Sequence, residues 1–200
     1  MLKTILNTLL PMCCAMCRQP LSGADHGICT TCLQSLNPVC DGNILHFGAY
    51  GGKLERAIHA LKFADTRVAA EPLGKHLAQA VRQIKWQTDA IIPIPLHSTR
   101  IRQRGYNQAA LLGRVVALEL AVPFLPALTR VRATKQQARL SKTERLKNLE
   151  GAFAVSESVA GLEVLLVDDV FTTGTTLTEA NIALIEAGAK RVRLAVLARA

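Results

Sequence analysis

One stretch of 13 residues, at positions 164–176, limits the possible folds of this chain more than any other. It reads VLLVDDVFTTGTT. Its four leading apolar residues predict a buried strand, two adjacent acids end that strand, and a polar turn with one glycine leads into a helix. Ligands of parallel α/β sheets bind where strands end in this way. The stretch therefore predicts a parallel sheet with a binding site at its carboxyl edge.

The turn within this stretch has the features of an anion site. Backbone N–H groups of residues 171–175 would converge beside a helix N-terminus, and threonine hydroxyls would add further donors. Gly174 would let the backbone approach the ligand closely. Asp168 and Asp169 would repel phosphate, so they suit sugar hydroxyls or a Mg²⁺ ion held by hydroxyls and phosphates. These features predict a phosphorylated sugar as ligand. The alternative is that Thr175 only caps the helix and both acids are solvated.

The remainder of the chain beyond residue 43 alternates between strands and helices. This alternation predicts an α/β fold, a parallel sheet flanked by helices, with a domain boundary between Cys40 and Asn43 that separates residues 1–42 from 43–200. The predicted strands are 44–50, 89–96, 124–129, 163–167 and 191–198, and the predicted helices are 53–63, 69–86, 107–122, 142–149 and 175–187.

All six cysteines lie within the first 40 residues. Two C-x2-C pairs, Cys14 with Cys17 and Cys29 with Cys32, are separated by eleven residues. Each pair can place two thiolates on one knuckle, and two knuckles complete a tetrahedral Zn²⁺ site. Such a closed site would be structural and would hold together a segment too small for its own core. Three alternatives remain open: Cys13 replaces Cys14, His26 replaces one thiolate, or the knuckles bind no metal. Cys40 is surplus.

The amino-terminal residues 4–16 form an apolar run that resembles a signal peptide only weakly. Asn7, Thr8 and Pro11 interrupt the run, and it continues into the cysteines without a small-residue cleavage site. We therefore expect a short amphipathic helix that ends at Pro11, with a targeting segment as the alternative. No apolar run approaches the about 18 residues of a membrane span. The expected location is the cytoplasm, where structural disulfides are rare.

The positive charge of the chain is concentrated in one region. Residues 97–147 hold eleven Lys and Arg and two Glu, and this local balance of +9 equals the net charge of the whole chain. Such a focus suits a phosphate-rich small molecule or nucleic acid, or it is an ordinary solvated surface. Tyr106 and Phe124 are its only aromatic residues, so a base-stacking platform is not evident. The overall composition, 50% hydrophobic and 20% charged, excludes wholesale disorder.

Residues 164–176 resemble the phosphoribosyl-diphosphate (PRPP) motif of type I phosphoribosyltransferases. The resemblance implies a type I phosphoribosyltransferase-like sheet domain behind a small zinc-ribbon-like segment. It also implies that Asp168 and Asp169 bind the ribose 2′- and 3′-hydroxyls. The residues implied to hold the 5′-phosphate are Thr172, Thr173, Gly174, Thr175 and Thr176.

Two more segments resemble the competence protein F (ComF/GntX) family. Residues 93–108 contain PIPL followed by RIRQRGYNQ, and residues 132–153 contain RATKQQ, Arg145, Asn148 and GAF. Together with the cysteine pairs, the likeness covers almost the whole chain. Longer members carry further C-x2-C pairs where this chain has only Cys40, so one knuckle site is expected here. The resemblance implies a role in natural competence, the uptake or use of external DNA.

The resemblance also suggests roles for the basic residues. In type I enzymes a mobile loop closes over the loaded site, and residues 131–141 occupy its place in the sequence. Lys135 and Arg139 would be catalytic there by neutralising the leaving pyrophosphate. Lys62 is expected at the pyrophosphate loop, or as a solvated lysine at a helix end. For Arg100, Arg102 and Arg104 the alternatives are phosphate or nucleic-acid contact and a plain surface cluster. Asn107 and Gln108 would shape the site or simply begin a helix.

Two functions from different classes follow. The first is a phosphoribosyltransferase that binds PRPP and Mg²⁺ and, if active, lets a nitrogen nucleophile displace pyrophosphate from C1 of PRPP. The second is a non-catalytic module that senses PRPP or a nucleotide and binds single-stranded DNA of the uptake machinery through residues 97–147. A weaker third is a scaffold whose zinc knuckle recruits a partner.

Overall fold

The computed structural model describes residues 12–23, 25–63, 68–131 and 152–200. Several expectations lie outside the described residues: the amino-terminal helix, most of the 131–141 loop with Lys135 and Arg139, and the helix at 142–149.

The described residues form six helices and nine strands, and the strands build one central sheet and two small ones. The helices are α1 (Thr30–Gln34), α2 (Gly52–Lys62), α3 (Ala70–Gln83), α4 (Ser98–Arg104), α5 (Gln108–Leu120) and α6 (Thr175–Glu186). The strands are β1 (Val39–Asp41), β2 (Ile44–His46), β3 (Ala90–Pro93), β4 (Leu128–Arg130), β5 (Phe153–Val155), β6 (Glu163–Val167), β7 (Val170–Phe171), β8 (Arg191–Ala195) and β9 (Ala198–Arg199).

The central sheet has five strands in the order β1-β2-β8-β6-β3. Strand β1 is antiparallel to β2, and the remaining pairs are parallel. The predicted α/β class with a largely parallel sheet is therefore confirmed. Strand β4 pairs antiparallel with β5, on either side of residues 132–151, and β7 pairs parallel with β9.

Alternate residues of the central strands divide between two cores. Leu165 and Val167 of β6 belong to the core that contains α2, α3 and α5, whereas Val164 and Leu166 belong to the core beneath α6. This division follows from the period of two in a strand, which sends successive side chains to opposite faces. Both faces of β6 are covered, which explains why its sequence is continuously apolar.

The cysteine-rich segment packs on the first of these cores. Met16 and Ile28 are buried in the cluster that includes α2 and α3. Arg56 on α2 donates from Nε to the carbonyl oxygen of Met16 at 2.7 Å, and a Cβ at Gly27 would lie 2.9 Å from the backbone nitrogen of Ala69. The predicted boundary near residue 42 lies in the turn between β1 and β2, so β1 already belongs to the central sheet.

Several predicted element bounds differ from the structure for local reasons. The strand expected over 89–96 ends at Pro93, where the run of prolines begins. The strand expected over 191–198 is divided into β8 and β9, because the N–H of Leu197 turns to the carbonyl oxygen of Asp169 at 3.1 Å. The sequence patterns missed α4, whose seven residues are all at least partly exposed and show no apolar periodicity. In the part of the chain that the structure describes, we find no helix that combines the length and apolarity needed to cross a membrane.

Candidate functional site

A cavity of about 480 Å³ lies at the carboxyl ends of β3 and β6. This is the edge at which a doubly wound sheet binds its ligands. The described residues that line it are Lys62, residues 94–97, Thr99, Arg100, Gln103, Arg104, Gln108, Arg130, residues 168–170, Thr172, Gly174, Thr176 and Leu177.

The acidic pair directly follows β6. Asp169 is buried, and its backbone N–H donates to Oδ1 of Asp168 at 2.8 Å. Burial, and then the charge of the adjacent Asp169, raise the pKa of Asp168 well above its ordinary value, while Lys62 opposes the shift. Burial disfavours the charged form of a carboxyl, and a nearby cation or hydrogen-bond donor favours it. The pair is thus suited to contact with a cation or with hydrogen-bond donors.

Lys62 lies in the cavity wall and faces the acidic pair. It is the last residue of α2, and its Nζ lies 3.0 Å from Oδ2 of Asp169. The structure thus places this side chain at the cavity rather than free in solvent. Its sequence-predicted contact with pyrophosphate stays a prediction.

The polar turn after β7 forms another wall and leads into α6. The lining formed by described residues includes Thr172, Gly174 and Thr176 but not Thr173 or Thr175. The hydroxyls of Thr173 and Thr175 lie 2.8 Å apart, so these two side chains contact each other. Gly174 caps α6 with a φ of 75°, and the first turn of a helix presents N–H groups that lack intrahelical partners. The turn is therefore suited to an anion.

Arginines from two elements border the cavity. Arg100 and Arg104 lie four residues apart on one face of α4 and line it, whereas Arg102 is exposed and lies outside the lining that the described residues form. Arg130 at the end of β4 joins them, with its guanidinium 5.7 Å from the centre of the Phe153 ring. Burial lowers the pKa of Arg130, and the charge of Arg100 lowers it further. Two neighbouring guanidiniums of this kind favour an anion between them.

The sequence reasoning missed several cavity residues. Arg130 was only one of many cations in the basic stretch, and no motif surrounds it. His97, Thr99 and Gln103 line the cavity because α4 directs them there, and α4 itself was not predicted. The sequence predicts either a site-shaping or a helix-starting role for Gln108, and in the structure this residue is buried and contacts Asp169.

The four predicted zinc ligands form a compact cluster. The sulfur atoms of Cys14, Cys17, Cys29 and Cys32 all lie within 4.8 Å of one another, and those of Cys17 and Cys29 are 3.8 Å apart. A tetrahedral Zn²⁺ with Zn–S bonds of about 2.3 Å separates its sulfurs by about 3.8 Å. The donor set therefore fits a metal ion such as zinc. The exposed Cys13 and Cys40 and the imidazole of His26 lie outside this cluster.

The surroundings of Cys14 favour the thiolate form of its side chain. Burial alone would raise the pKa of Cys14, but backbone N–H donors, including those of Met16 at 3.4 Å and Cys29 at 3.3 Å, outweigh it and lower the pKa to about 6. Burial, followed by contacts with the neighbouring thiols, raises the pKa of Cys32. Metal ligation requires deprotonated sulfur, so a bound cation would provide the charge that Cys32 needs to ionise.

Comparisons with known proteins agree with this geometry. Residues 69–200 match the phosphoribosyl transferase domain family. The DNA utilization protein YhgH of Salmonella typhimurium is 33% identical over 222 aligned positions, which cover 95% of this chain and 98% of that protein. Competence protein F of Haemophilus influenzae is 33% identical, and the alignment covers 94% of this chain and 96% of that protein.

A solved structure supports the fold. The glutamine phosphoribosylpyrophosphate amidotransferase of B. subtilis matches with a TM-score of 0.50 at 20% identity, over 70% of this chain and 30% of that chain. From the domain match and the near full-length relatives, the chain belongs to the competence protein F family and carries a phosphoribosyl transferase domain.

Proposed function

We propose that the cavity binds PRPP with Mg²⁺, and that the chain is a phosphoribosyltransferase-like protein of DNA uptake or of the use of external DNA. One observation carries the proposal: an acidic pair, a polar helix-start loop and several cations all border the same cavity. PRPP has a matching set of groups, namely ribose hydroxyls, a 5′-phosphate and a pyrophosphate. The volume of the cavity lies within the usual range of ligand sites.

Each wall has a proposed partner in PRPP. The loop that contains Thr172, Gly174 and Thr176 would hold the 5′-phosphate, and Thr173 and Thr175 would support it through their mutual contact. Asp168 and Asp169 would bind the ribose hydroxyls. Mg²⁺, when bound, would neutralise charge on the pyrophosphate.

The cations would face the pyrophosphate. Arg100, Arg104 and Arg130 border the cavity, and Lys135 and Arg139 follow β4 in the sequence. Charge develops on the pyrophosphate when its bond to C1 breaks, so nearby cations stabilise the leaving group. In turnover, a nitrogen nucleophile would take its place at C1.

The DNA-related setting comes from the relatives. Their names refer to DNA utilization and competence, and we extend that setting to this chain. A domain that consumes PRPP would act there on a base, nucleotide or other nitrogen compound obtained from DNA.

Calorimetric titration of PRPP with Mg²⁺ tests the proposal. The wild type should bind saturably, and the Asp168→Asn, Asp169→Asn double variant should bind more weakly by about tenfold or more, that is by at least about 1.4 kcal/mol. Glu157→Gln serves as the control, because this carboxylate is exposed and lies away from the cavity lining. Circular dichroism checks the fold of each variant. A wild type that does not bind, or a double variant that binds equally well, would overturn the proposal.

A second candidate is a non-catalytic module that binds single-stranded DNA. The observation in its favour is Arg102, which is exposed on α4 and outside the cavity lining formed by described residues. DNA affinity that depends on such a contact falls steeply with salt. Arg102→Gln should reduce the salt slope by about one while leaving PRPP binding unchanged. An unchanged slope would remove the support for this candidate.

A further inference from the structure

The segment RGYNQ, residues 104–108, connects separate walls of the cavity. The hydroxyl of Tyr106 donates to the carbonyl oxygen of Leu61 at 2.7 Å, next to Lys62. Nδ2 of Asn107 donates to the carbonyl oxygen of Ile94 at 2.9 Å. One short segment thus fixes the end of α2 and the loop after β3.

Gln108 makes the third connection, and it uses both ends of its amide. Its Oε1 accepts from Nη1 of Arg104 at 2.6 Å, and its Nε2 donates to Oδ2 of Asp169 at 3.3 Å. The side chain is buried, with 3% of the residue exposed. Because guanidinium nitrogens only donate and an ionised carboxylate only accepts, one orientation of the amide satisfies both neighbours. A flipped amide would face Arg104 with a donor and Asp169 with an acceptor.

The Asp169 carboxylate receives a second contact at the same atom. Nζ of Lys62 lies 3.0 Å from Oδ2, the oxygen that also accepts from Gln108. Lys62 and Gln108 thus hold the carboxylate through this one oxygen. The charged groups around this carboxylate are Lys62 from α2, Asp168 beside it, and Arg104 behind Gln108.

We propose that Gln108 is a positioning residue that orients the Asp169 carboxylate toward the ligand and couples it to Arg104. The inference rests on the proposed function, because it takes PRPP as the ligand. Arg104 lines the cavity as well as contacting Gln108, so an anion that draws Arg104 toward itself also alters the hydrogen bonds to Asp169. A movement of Arg104, on the wall proposed to face phosphate, thereby affects Asp169, on the wall proposed to face the ribose hydroxyls.

The test compares two glutamines of the same cavity. Gln108→Leu removes both amide contacts at similar size, and Gln103→Leu makes the same chemical change at an exposed lining residue. In the unliganded protein labelled with ¹³C-aspartate, the Asp169 side-chain carboxyl signal is assigned by its loss in Asp169→Asn. Its chemical shift should change in Gln108→Leu, which removes the donor to Oδ2, and stay as in the wild type in Gln103→Leu.

Affinity for PRPP with Mg²⁺ provides the second readout. Gln108→Leu should weaken binding by about tenfold and Gln103→Leu by less than about threefold, and in the Asp169→Asn background Gln108→Leu should add no further loss. If Gln108 only stabilised the fold, Gln108→Leu would weaken binding equally in the wild type and in Asp169→Asn. Should Gln108→Leu not fold, Gln108→Met also removes both amide contacts, with a longer unbranched side chain and no added charge, and the same results are expected.

The two proposals fail separately. A wild type that does not bind PRPP overturns the proposed function, whatever the carboxyl signals show. An Asp169 signal that responds alike to Gln108→Leu and Gln103→Leu overturns the positioning role, even where the wild type binds PRPP. Additive losses for Gln108→Leu and Asp169→Asn overturn it as well.

Discussion

Lys62 and Asp169 form an ion pair across the cavity wall, with Nζ of the lysine 3.0 Å from Oδ2 of the acid. The lysine side chain is 26% exposed and the aspartate side chain 8%, so water screens this pair less than a surface pair. Removal of one partner leaves the other charge poorly solvated. The contact therefore links stability to the geometry of the proposed binding site.

We expect Lys62→Met to lower the free energy of unfolding by about 1–2 kcal/mol, below the range for fully buried pairs because the lysine is partly exposed. In the double variant Lys62→Met, Asp169→Asn the loss should be smaller than the sum of the single losses, since no uncompensated charge remains. Urea denaturation measures all three. Lys53→Met, an exposed lysine on the same helix, should have little effect. Additive losses would contradict the coupling.

The raised pKa of Asp168 predicts a pH-dependent cost to stability. Above its ordinary value of 3.8 the unfolded chain has lost this proton while the folded protein retains it, so stability falls as pH rises through the folded pKa. Asp168→Asn removes this cost. The variant should therefore be more stable than the wild type at pH 8, with the gain vanishing toward pH 4.

Asp169→Asn provides the contrast for this prediction. It removes the negative charge that pairs with Lys62, so it should destabilise the protein under the same conditions. Denaturant unfolding between pH 4 and pH 8 measures both variants. Asp168→Asn should also lose PRPP binding while it gains stability, the expected sign of a residue kept for function. If Asp168→Asn instead destabilised the protein at pH 8, the predicted cost of the Asp168 carboxyl to stability would be wrong.

The sequence predicted best those elements whose signals are local. Strand β6 occupies the predicted residues 163–167, because a continuous apolar run ends at two acids. Helix α6 begins at the predicted Thr175, where Gly174 supplies the left-handed cap. The cysteine spacing likewise identified the four thiols that the fold brings together.

The remainder of the site depends on contacts between distant segments. Gln108 begins helix α5 and Asp169 follows strand β6, and no local sequence pattern indicates that the two residues are in contact. Arg130 lines the cavity from the end of β4, which pairs with β5 from a distant part of the chain. The missed helix α4 carries three arginines and no buried residue, so a search for apolar periodicity passes over it.

The four-cysteine cluster predicts one Zn²⁺ per chain. Cys32→Ser should lose this metal and lower the melting temperature, because the buried thiol lies in the core shared with α2 and α3. Metal content by mass spectrometry and thermal unfolding measure the two effects. Cys40→Ser is the matched control, since Cys40 is exposed and lies outside the cluster. Equal zinc in Cys32→Ser and the wild type would refute the assignment.

The loop between β7 and α6 depends on the absence of a side chain at Gly174. Its φ of 75° is unfavourable for other residues, and an added Cβ would lie 2.7 Å from Cζ of Phe171. Gly161 has a nearly identical φ of 76°, but a Cβ there would meet nothing within 4 Å. The two glycines therefore separate backbone strain from steric overlap.

Gly161→Ala should cost about 1–2 kcal/mol of stability through backbone strain alone. Gly174→Ala should cost about 1–3 kcal/mol more, because the Phe171 ring or the loop must shift. The same shift should weaken binding of PRPP with Mg²⁺ in Gly174→Ala, since the loop would no longer present its N–H groups correctly, and leave it unchanged in Gly161→Ala. Urea denaturation and calorimetry measure the two effects. Equal stability losses in the two variants would show that the ring does not hold the loop.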